Sequence, residues 1–300
     1  MASKKTPIVE YLYDKLSNAG RSVALFDDVA AAIRYFKDEL GLELSDNNPA
    51  NFMKDFLRGM NASANWPVAL TAKRITAKQQ TGAGRIFEFI PFLDHQTEAF
   101  PNPFEPTGQE VEYILQSLSL SQATRSLGRD DESWLIQVSV WLRVLETHFS
   151  KASECKLLEV SHLQNGIKLN RTEIDALFLG VQLGADGNAE NVLITCEAKQ
   201  QKDPILGDQI VRQVASALQS TNDSALSISR IIPIAIKAIK DRAAIYVAEF
   251  EPWSIAEASV AEADRKDLIV SQSAIYRLVP PVPGIGYKPK RVRKKTKLSP

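Results

Sequence analysis

Three side chains in this sequence could do chemistry together: Asp175 in TEIDALF, and Glu197 and Lys199 in LITCEAKQ. In an extended chain alternate residues point the same way, so Glu197 and Lys199 share one face of a strand. Two carboxylates brought close together resist ionising together, and a divalent cation removes that conflict. Mg²⁺ in particular takes hard oxygen ligands from one or two carboxylates while keeping several waters. A lysine beside such an ion can orient, or help to deprotonate, an attacking water and can neutralise charge growing on a phosphate. An acid on one strand and Glu-x-Lys on its neighbour therefore suit hydrolysis of a phosphodiester.

The elements that must position these groups can be read from the patterning. From Cys155 onward the period changes from helical to extended. KLLEVSHLQNGIKLN predicts a hairpin turning at Asn165-Gly166, and the next thirty residues predict two more strands turning at Asp186-Gly187. In the first of these Ile174, Ala176 and Phe178 share one face and Glu173, Asp175 and Leu177 the other. In the second Ile194, Cys196 and Ala198 oppose Leu193, Thr195, Glu197 and Lys199, so Asp175 and Glu197 can converge with Lys199 beside them. Asp203 as cap and Pro204 at the first position announce a helix with Ile210, Val214, Ala217 and Leu218 inward. Gln209 and Gln213, one turn apart on it, face either the site or solvent. Upstream, VEYILQSL predicts a short helix. SWLIQVSVWLRVLETHF predicts one longer helix with Trp134, Val138, Trp141, Leu142, Leu145 and Phe149 inward and Glu146 beside that stripe. Downstream, IIPIAIKAI and AAIYVAEF have the apolar density of strands covered on both faces.

The first part of the chain has a different texture. Ile8, Tyr11, Leu12 and Leu16 predict one amphipathic helix, and Val29, Ile33, Phe36 and Leu40, capped by Asp27 or Asp28 and ended by Gly41, a second. NPANFMKDFLRGM predicts a third, with Asn48 as cap, Pro49 at its first position and Gly59 closing it. RITAKQQTGAGRIFEFIPF then predicts a hairpin. Three helices followed by a hairpin resemble a winged helix-turn-helix, which implies DNA contact through Lys54 and Arg58 of the third helix and through Lys78, Gln79, Gln80 and Arg85 of the hairpin. Three prolines within six residues mark DHQTEAFPNPFEPTG as a linker. The expected organisation is a winged-helix-like domain over 1–95, a linker over 96–108, a second domain over 109–285 and a basic tail over 286–300.

Ile174-Asp175, twenty-one further residues and then Glu197-Ala198-Lys199 resemble the PD-(D/E)xK nuclease superfamily, which includes many type II restriction endonucleases. Glu154-Cys155-Lys156 and Asp264-Arg265-Lys266 fit the tripeptide as well, but lack the apolar strand in front and the acid across a hairpin. Isoleucine stands where many members have proline before the first acid, which leaves Glu173 as a competitor of Asp175. The resemblance covers residues 133 to 250. It implies an α/β (α+β) chain whose second domain is a restriction-endonuclease-like mixed β-sheet core flanked by helices. It also implies Asp175, Glu197 and the Ala198 carbonyl as metal ligands, Lys199 acting on the attacking water, and Glu146 as the extra upstream glutamate some members use. The implied cofactor is Mg²⁺, with Mn²⁺ able to substitute, and the implied substrate is double-stranded DNA. A homodimer would match the two-fold symmetry of a duplex cut on both strands, with a cognate DNA methyltransferase as genetic partner. A structure-specific repair nuclease of the same fold, and a non-catalytic winged-helix regulator, remain alternatives.

Composition narrows the setting. Lysine plus arginine and aspartate plus glutamate balance at 36 each, but the last thirteen residues hold seven basic residues and no acid, either a solvated end or a nucleic-acid contact. Two cysteines, Cys155 and Cys196, are too few for a disulfide framework, and the three histidines lack zinc-site spacing. No GxxxxGK[ST] phosphate loop, signal core or long apolar run occurs, so the expectation is a soluble, cytoplasmic protein without membrane contact, and the resemblance implies a prokaryotic one.

Overall fold

A computed structural model of the chain describes residues 3–42, 44, 49–57, 62–80, 83–169, 172–221, 227–258 and 268–286. The chain divides into two compact units, one through Pro103 and one from Phe104.

The first unit runs α1 (Thr6–Asn18), β1 (Val23–Leu25), α2 (Phe26–Leu40), a 3₁₀ turn (Pro49–Asn51), α3 (Phe52–Leu57), α4 (Ala62–Asn65), α5 (Val68–Ala72), β2 (Ile75–Gln79) and β3 (Arg85–Pro91). The three strands form an antiparallel sheet in the order β1-β3-β2. Ile8, Leu12 and Leu16 of α1 and Val29, Ile33 and Phe36 of α2 are buried in one core with Phe87 and Phe89 of β3, as their spacing predicts. Leu40 is exposed, because α2 ends there at Gly41, whose φ of 64° caps the helix in the left-handed region. Asp28 does not cap α2 from its N-cap position; from the third helical residue it accepts the Leu25 N–H. Asn48, Arg58 and Gly59 lie outside the described residues. Ala99 is buried in this core and Gln96 bonds the carbonyls of Glu98 and Ala99, so the first half of the expected 96–108 linker packs within this unit.

The second unit runs β4 (Val111–Gln116), α6 (Gln122–Ser126), α7 (Glu132–Trp141), α8 (Val144–Lys151), β5 (Glu159–Leu169), β6 (Thr172–Leu183), β7 (Ala189–Lys199), α9 (Gly207–Thr221), β8 (Ile228–Ala238), β9 (Ala244–Phe250), β10 (Trp253–Ser254) and β11 (Val270–Val279). Among the described residues the sheet is ordered β4-β11-β9-β8-β7-β6-β5, with β10 on β8. It is mixed: β7 and β8 run parallel, joined by α9, as do β11 and β4, and the other pairs are antiparallel. One face packs on α7 and α8, with Trp134, Leu135, Val138, Leu145 and Phe149 against Phe178, Ile194 and Ile234. The other packs on α9 through Val214 and Ala217 against Leu193 and Ile231. Both layers are apolar and continuous, which is the main stabilising term for such an element stack.

Five expectations change here. The helix after β7 begins at Gly207, not at Pro204 with Asp203 as cap, because the Asp203 N–H closes a turn onto the Gln200 carbonyl at 2.9 Å. VEYILQSL is the edge strand β4, held by parallel pairing to β11 from the far end of the sequence. Tyr113 and Leu115 pack on the core while Glu112, Ile114 and Gln116 are exposed, a period of two that the helical reading overlooked. The long helix is broken: Arg143 takes φ 53°, separating α7 from α8, and Trp141 is left exposed. Asn165-Gly166 is not a turn. Gly166 takes φ 60° inside β5, next to a bulge at His162/Gln164, and the β5–β6 ladder runs on to Leu169↔Thr172. Ile174 joins the core under α9 with Leu193 and Val214, and not that of Ala176 and Phe178. By contrast the Asp186-Gly187 turn, the partners β6 and β7 and the strands β8 and β9 form as patterned. Glu154-Cys155-Lys156 lies in the turn between α8 and β5, and Asp264-Arg265-Lys266 lies outside the described residues. So does the basic tail from residue 287. No described helix is long and apolar enough to cross a membrane.

The start of α7 is fixed by the end of the described chain. The Trp134 indole donates to the Pro283 carbonyl at 2.8 Å, and Gly284, at φ +86°, passes so close that an added Cβ would stand 1.9 Å from the Arg129 carbonyl. Gly284→Ala is expected to lower stability by about 2 kcal/mol or more, through combined backbone strain and overlap. Urea unfolding of wild type and variant measures this.

Candidate active site

The β6–β7 ladder ends at Ala176↔Cys196, one step before Asp175 would face Glu197. There a side chain replaces the backbone rung: Asp175 Oδ2 accepts the Ala198 N–H at 2.8 Å. That bond ties the Asp175 carboxylate to β7. Glu197 and Lys199 follow on β7 and are 3% and 7% exposed, so this is no surface ion pair. Glu197 Oε1 accepts from Lys199 Nζ, and its Oε2 accepts from the amide of Gln213 on α9. Gln213 also donates to the Glu173 carbonyl on β6 at 3.1 Å. Asp175 lies within hydrogen-bonding reach of Glu197.

A third acid reaches the cluster. Glu132 Oε1 is 3.5 Å from Lys199 Nζ. It sits in the first turn of α7, where Asp131 caps the helix by accepting the Trp134 N–H at 2.8 Å. The helix start is tied to the end of β7 because Gln200 donates to the Asp131 carbonyl at 2.7 Å.

Glu146, the upstream glutamate expected at this site, is elsewhere. It lies on α8, where burial raises its carboxyl while the charges of Arg143 and His162 lower it, and its Oε2 is buried without a partner. The charges acting on it are those of Arg143 and His162, while Glu132 is a carboxylate that acts on both Glu197 and Lys199. The further carboxylate beside Lys199 is that of Glu132. The signal for it was Asp131-Glu132 ahead of Ser133-Trp134, an N-cap followed by an acid in the first turn. Glu173, the competitor of Asp175, is exposed, and Gln209 keeps a buried Oε1 without a hydrogen-bond partner.

The electrostatics follow from three carboxylates around one ammonium. Asp175 is pushed up to about 7, first by burial and then by the Glu197 charge. Burial also raises Glu197, against the pull of Lys199. Lys199 would be lowered by burial, but Glu197 and Glu132 outweigh that and hold it above its ordinary value, so it is an ammonium at neutral pH. Glu132 is raised by burial, and Lys199 opposes the shift. Excess negative charge on hard oxygens suits a small divalent cation. Among the described residues no group of three or more His, Cys, Asp and Glu side chains stands ready-made around a metal position. Mg²⁺ does not require one, since one or two carboxylates suffice when water completes the shell.

Of the residues expected to touch DNA, Arg85 is exposed at the start of β3. Lys78 is half-buried on β2 opposite Glu88, and Gln80 donates to Glu88 at 2.8 Å. Lys54 lies within α3, and Arg58 outside the described residues. Comparison of the chain with protein-family models, curated proteins and solved structures found no match.

Asp175 ionises near 3.8 in an unfolded chain and near 7 in the folded one. Folding therefore favours its protonated form, a contribution complete below the unfolded value and lost as pH rises toward 7. In chelator, Asp175→Asn is expected to melt higher than wild type at pH 8, with the difference vanishing toward pH 4. Melting curves across that range test it; a gain that persists in acid would contradict the assignment.

Proposed function

We propose that this protein is a Mg²⁺-dependent endonuclease of PD-(D/E)xK type that cleaves double-stranded DNA, acting most simply as a sequence-specific restriction enzyme. One observation carries the proposal. Asp175 and Glu197-x-Lys199 meet at the end of β7, a buried strand whose crossover helix α9 leads to a parallel neighbour, and the Asp175 carboxylate is bonded to the Ala198 N–H. Neither stability nor solvation explains such a set: buried ions are costly to desolvate, and an apolar replacement of similar volume often stabilises.

Asp175 and Glu197, with the Ala198 carbonyl as the resemblance implies, would hold the ion, and Mg²⁺ or Mn²⁺ would supply a Lewis acid and a more acidic bound water. Lys199 is a charged donor, so its role is to orient the attacking water and to offset charge on the phosphate in the transition state. It cannot accept the water's proton while Glu197 and Glu132 keep it protonated. Glu132 holds the ammonium from the α7 side. Burial and the Glu197 charge raise Asp175, so any proton it holds must leave before the carboxylate can serve as a ligand.

The first unit fits a DNA reader of winged-helix type. Helix, strand, helices and a final strand pair close a three-stranded sheet, as such modules do. Along the sequence, residues 49 to 85 hold six basic residues, Lys54, Arg58, Lys73, Arg74, Lys78 and Arg85, and one acid, Asp55, while Lys78 stands opposite Glu88 on β3. That imbalance favours phosphate contact. Two copies of the chain would let each cut one strand.

Plasmid or phage DNA with Mg²⁺ should yield discrete fragments, and chelator should abolish them. Lys199→Ala is expected to slow cleavage by about 100-fold or more; a variant as fast as wild type would dismiss the nuclease reading. Glu132→Gln should cost about 10-fold while Glu146→Gln stays within about twofold, and the reverse order would restore Glu146 to the site. Replacing Lys78 and Arg85 together by alanine should weaken DNA binding and lower the salt-dependence slope by about 2, one unit per lost phosphate contact. Fluorescence anisotropy over a salt series measures the slope.

A further inference from the structure

Gln213 is used by no step above, yet it is 2% exposed and both of its amide hydrogens are spent on the site. One goes to Glu197 Oε2 on β7 and the other to the Glu173 carbonyl on β6, at 3.1 Å. It is the side chain that bonds both strands at the point where their own ladder has stopped. The register ends at Ala176↔Cys196, and past it the described cross-strand hydrogen bond between β6 and β7 is that of Asp175 to Ala198 N–H. Glu173 is two residues before Asp175, so fixing its carbonyl fixes the backbone that aims the Asp175 carboxylate.

We infer that Gln213 is a positioning residue, an amide clamp from α9 that sets the separation of Asp175 and Glu197 by holding one acid directly and the other through its strand. The use of that separation for metal binding rests on the nuclease reading; the clamp itself does not. An amide suits the task better than a charged group. A lysine would compete with Lys199 for Glu197, and a carboxylate would repel it. A glutamine side chain also reaches from a helix to two acceptors on different strands, while neither hydrogen bond needs a titrating proton. Gln209, one turn earlier, has a buried carbonyl oxygen with no hydrogen-bond partner and serves as the internal comparison.

The test has two arms on the full-length chain. In metal-free protein, amide hydrogen exchange by NMR reads the Ala198 N–H. Gln213→Met keeps the volume and removes the donors, and is expected to speed exchange at Ala198 by about tenfold, as loss of one supporting hydrogen bond allows. Exchange at Leu193 and Ile194, farther up the same strand, should stay unchanged. Gln213→Glu, which keeps the shape and cannot donate when ionised, should do the same, and Gln209→Met should not. Unchanged exchange at Ala198 in both Gln213 variants overturns the clamp. In the second arm calorimetry measures Mn²⁺ binding, with a loss of about 10–100-fold expected for Gln213→Met. Faster exchange with wild type failing to bind Mn²⁺ would keep the clamp and refute the metal-site reading. Mn²⁺ binding by wild type that Gln213→Met leaves within about twofold would refute the clamp's part in the metal site.

Discussion

The burial of a single ammonium among three carboxylates at the end of β7 is the constraint that the surrounding structure serves. An ion pair in water contributes little, and one taken into a protein interior loses more hydration than it regains unless every remaining polar atom is satisfied. Around Glu197 that satisfaction is nearly complete: Lys199 holds one oxygen, Gln213 the other, and Asp175 lies in reach. What is left over is negative charge, expressed in the raised carboxyls of Asp175, Glu197 and Glu132. Charge of that kind would be offset by a cation or a cationic group.

The elements that deliver these groups come from distant parts of the sequence, and each is secured by a specific contact. Glu132 arrives because Asp131 caps α7, Gln200 grips the Asp131 carbonyl, and the turn at Pro283-Gly284 locks Trp134. Gln213 arrives because α9 is the crossover between two parallel strands and its apolar stripe, Val214 and Ala217, seals against Leu193 and Ile231. Its polar edge is thereby left against the open end of the β6–β7 ladder. Packing free energy from two ordinary apolar layers thus holds a polar cluster that would not assemble by its own attractions.

A separate polar network lies deeper in the same unit, with His148 bonded to Glu249 and Tyr276, and Ser153 to Glu249, each at 2.9–3.0 Å. All four side chains are buried and mutually satisfied, so the network explains itself as a core that specifies one packing of α8 on β9 and β11. The contrast is informative: there donors and acceptors balance, whereas around Lys199 the acids outnumber their partners.

The sequence by itself determined the strands β6 and β7, their turn at Asp186-Gly187, the convergence of Asp175 with Glu197 and Lys199, the inward stripe of the helix that follows though not its start, and the apolar faces of α1 and α2. All of these rest on periodicity and on turn chemistry, which act over a few residues. Only the tertiary structure decided the rest. β4 is a strand because β11, some 160 residues later in register, pairs with it, and no local pattern carries that partner. Gly166 lies within a strand because the ladder on β6 continues past it, and Ile174 is buried under α9 because that helix packs against this end of β6. Glu132 in place of Glu146, and Gln213 as a partner of both acid-bearing strands, depended on where α7 begins and how α9 is rotated. Those are set by long-range packing, which a single sequence constrains only through the fold it produces.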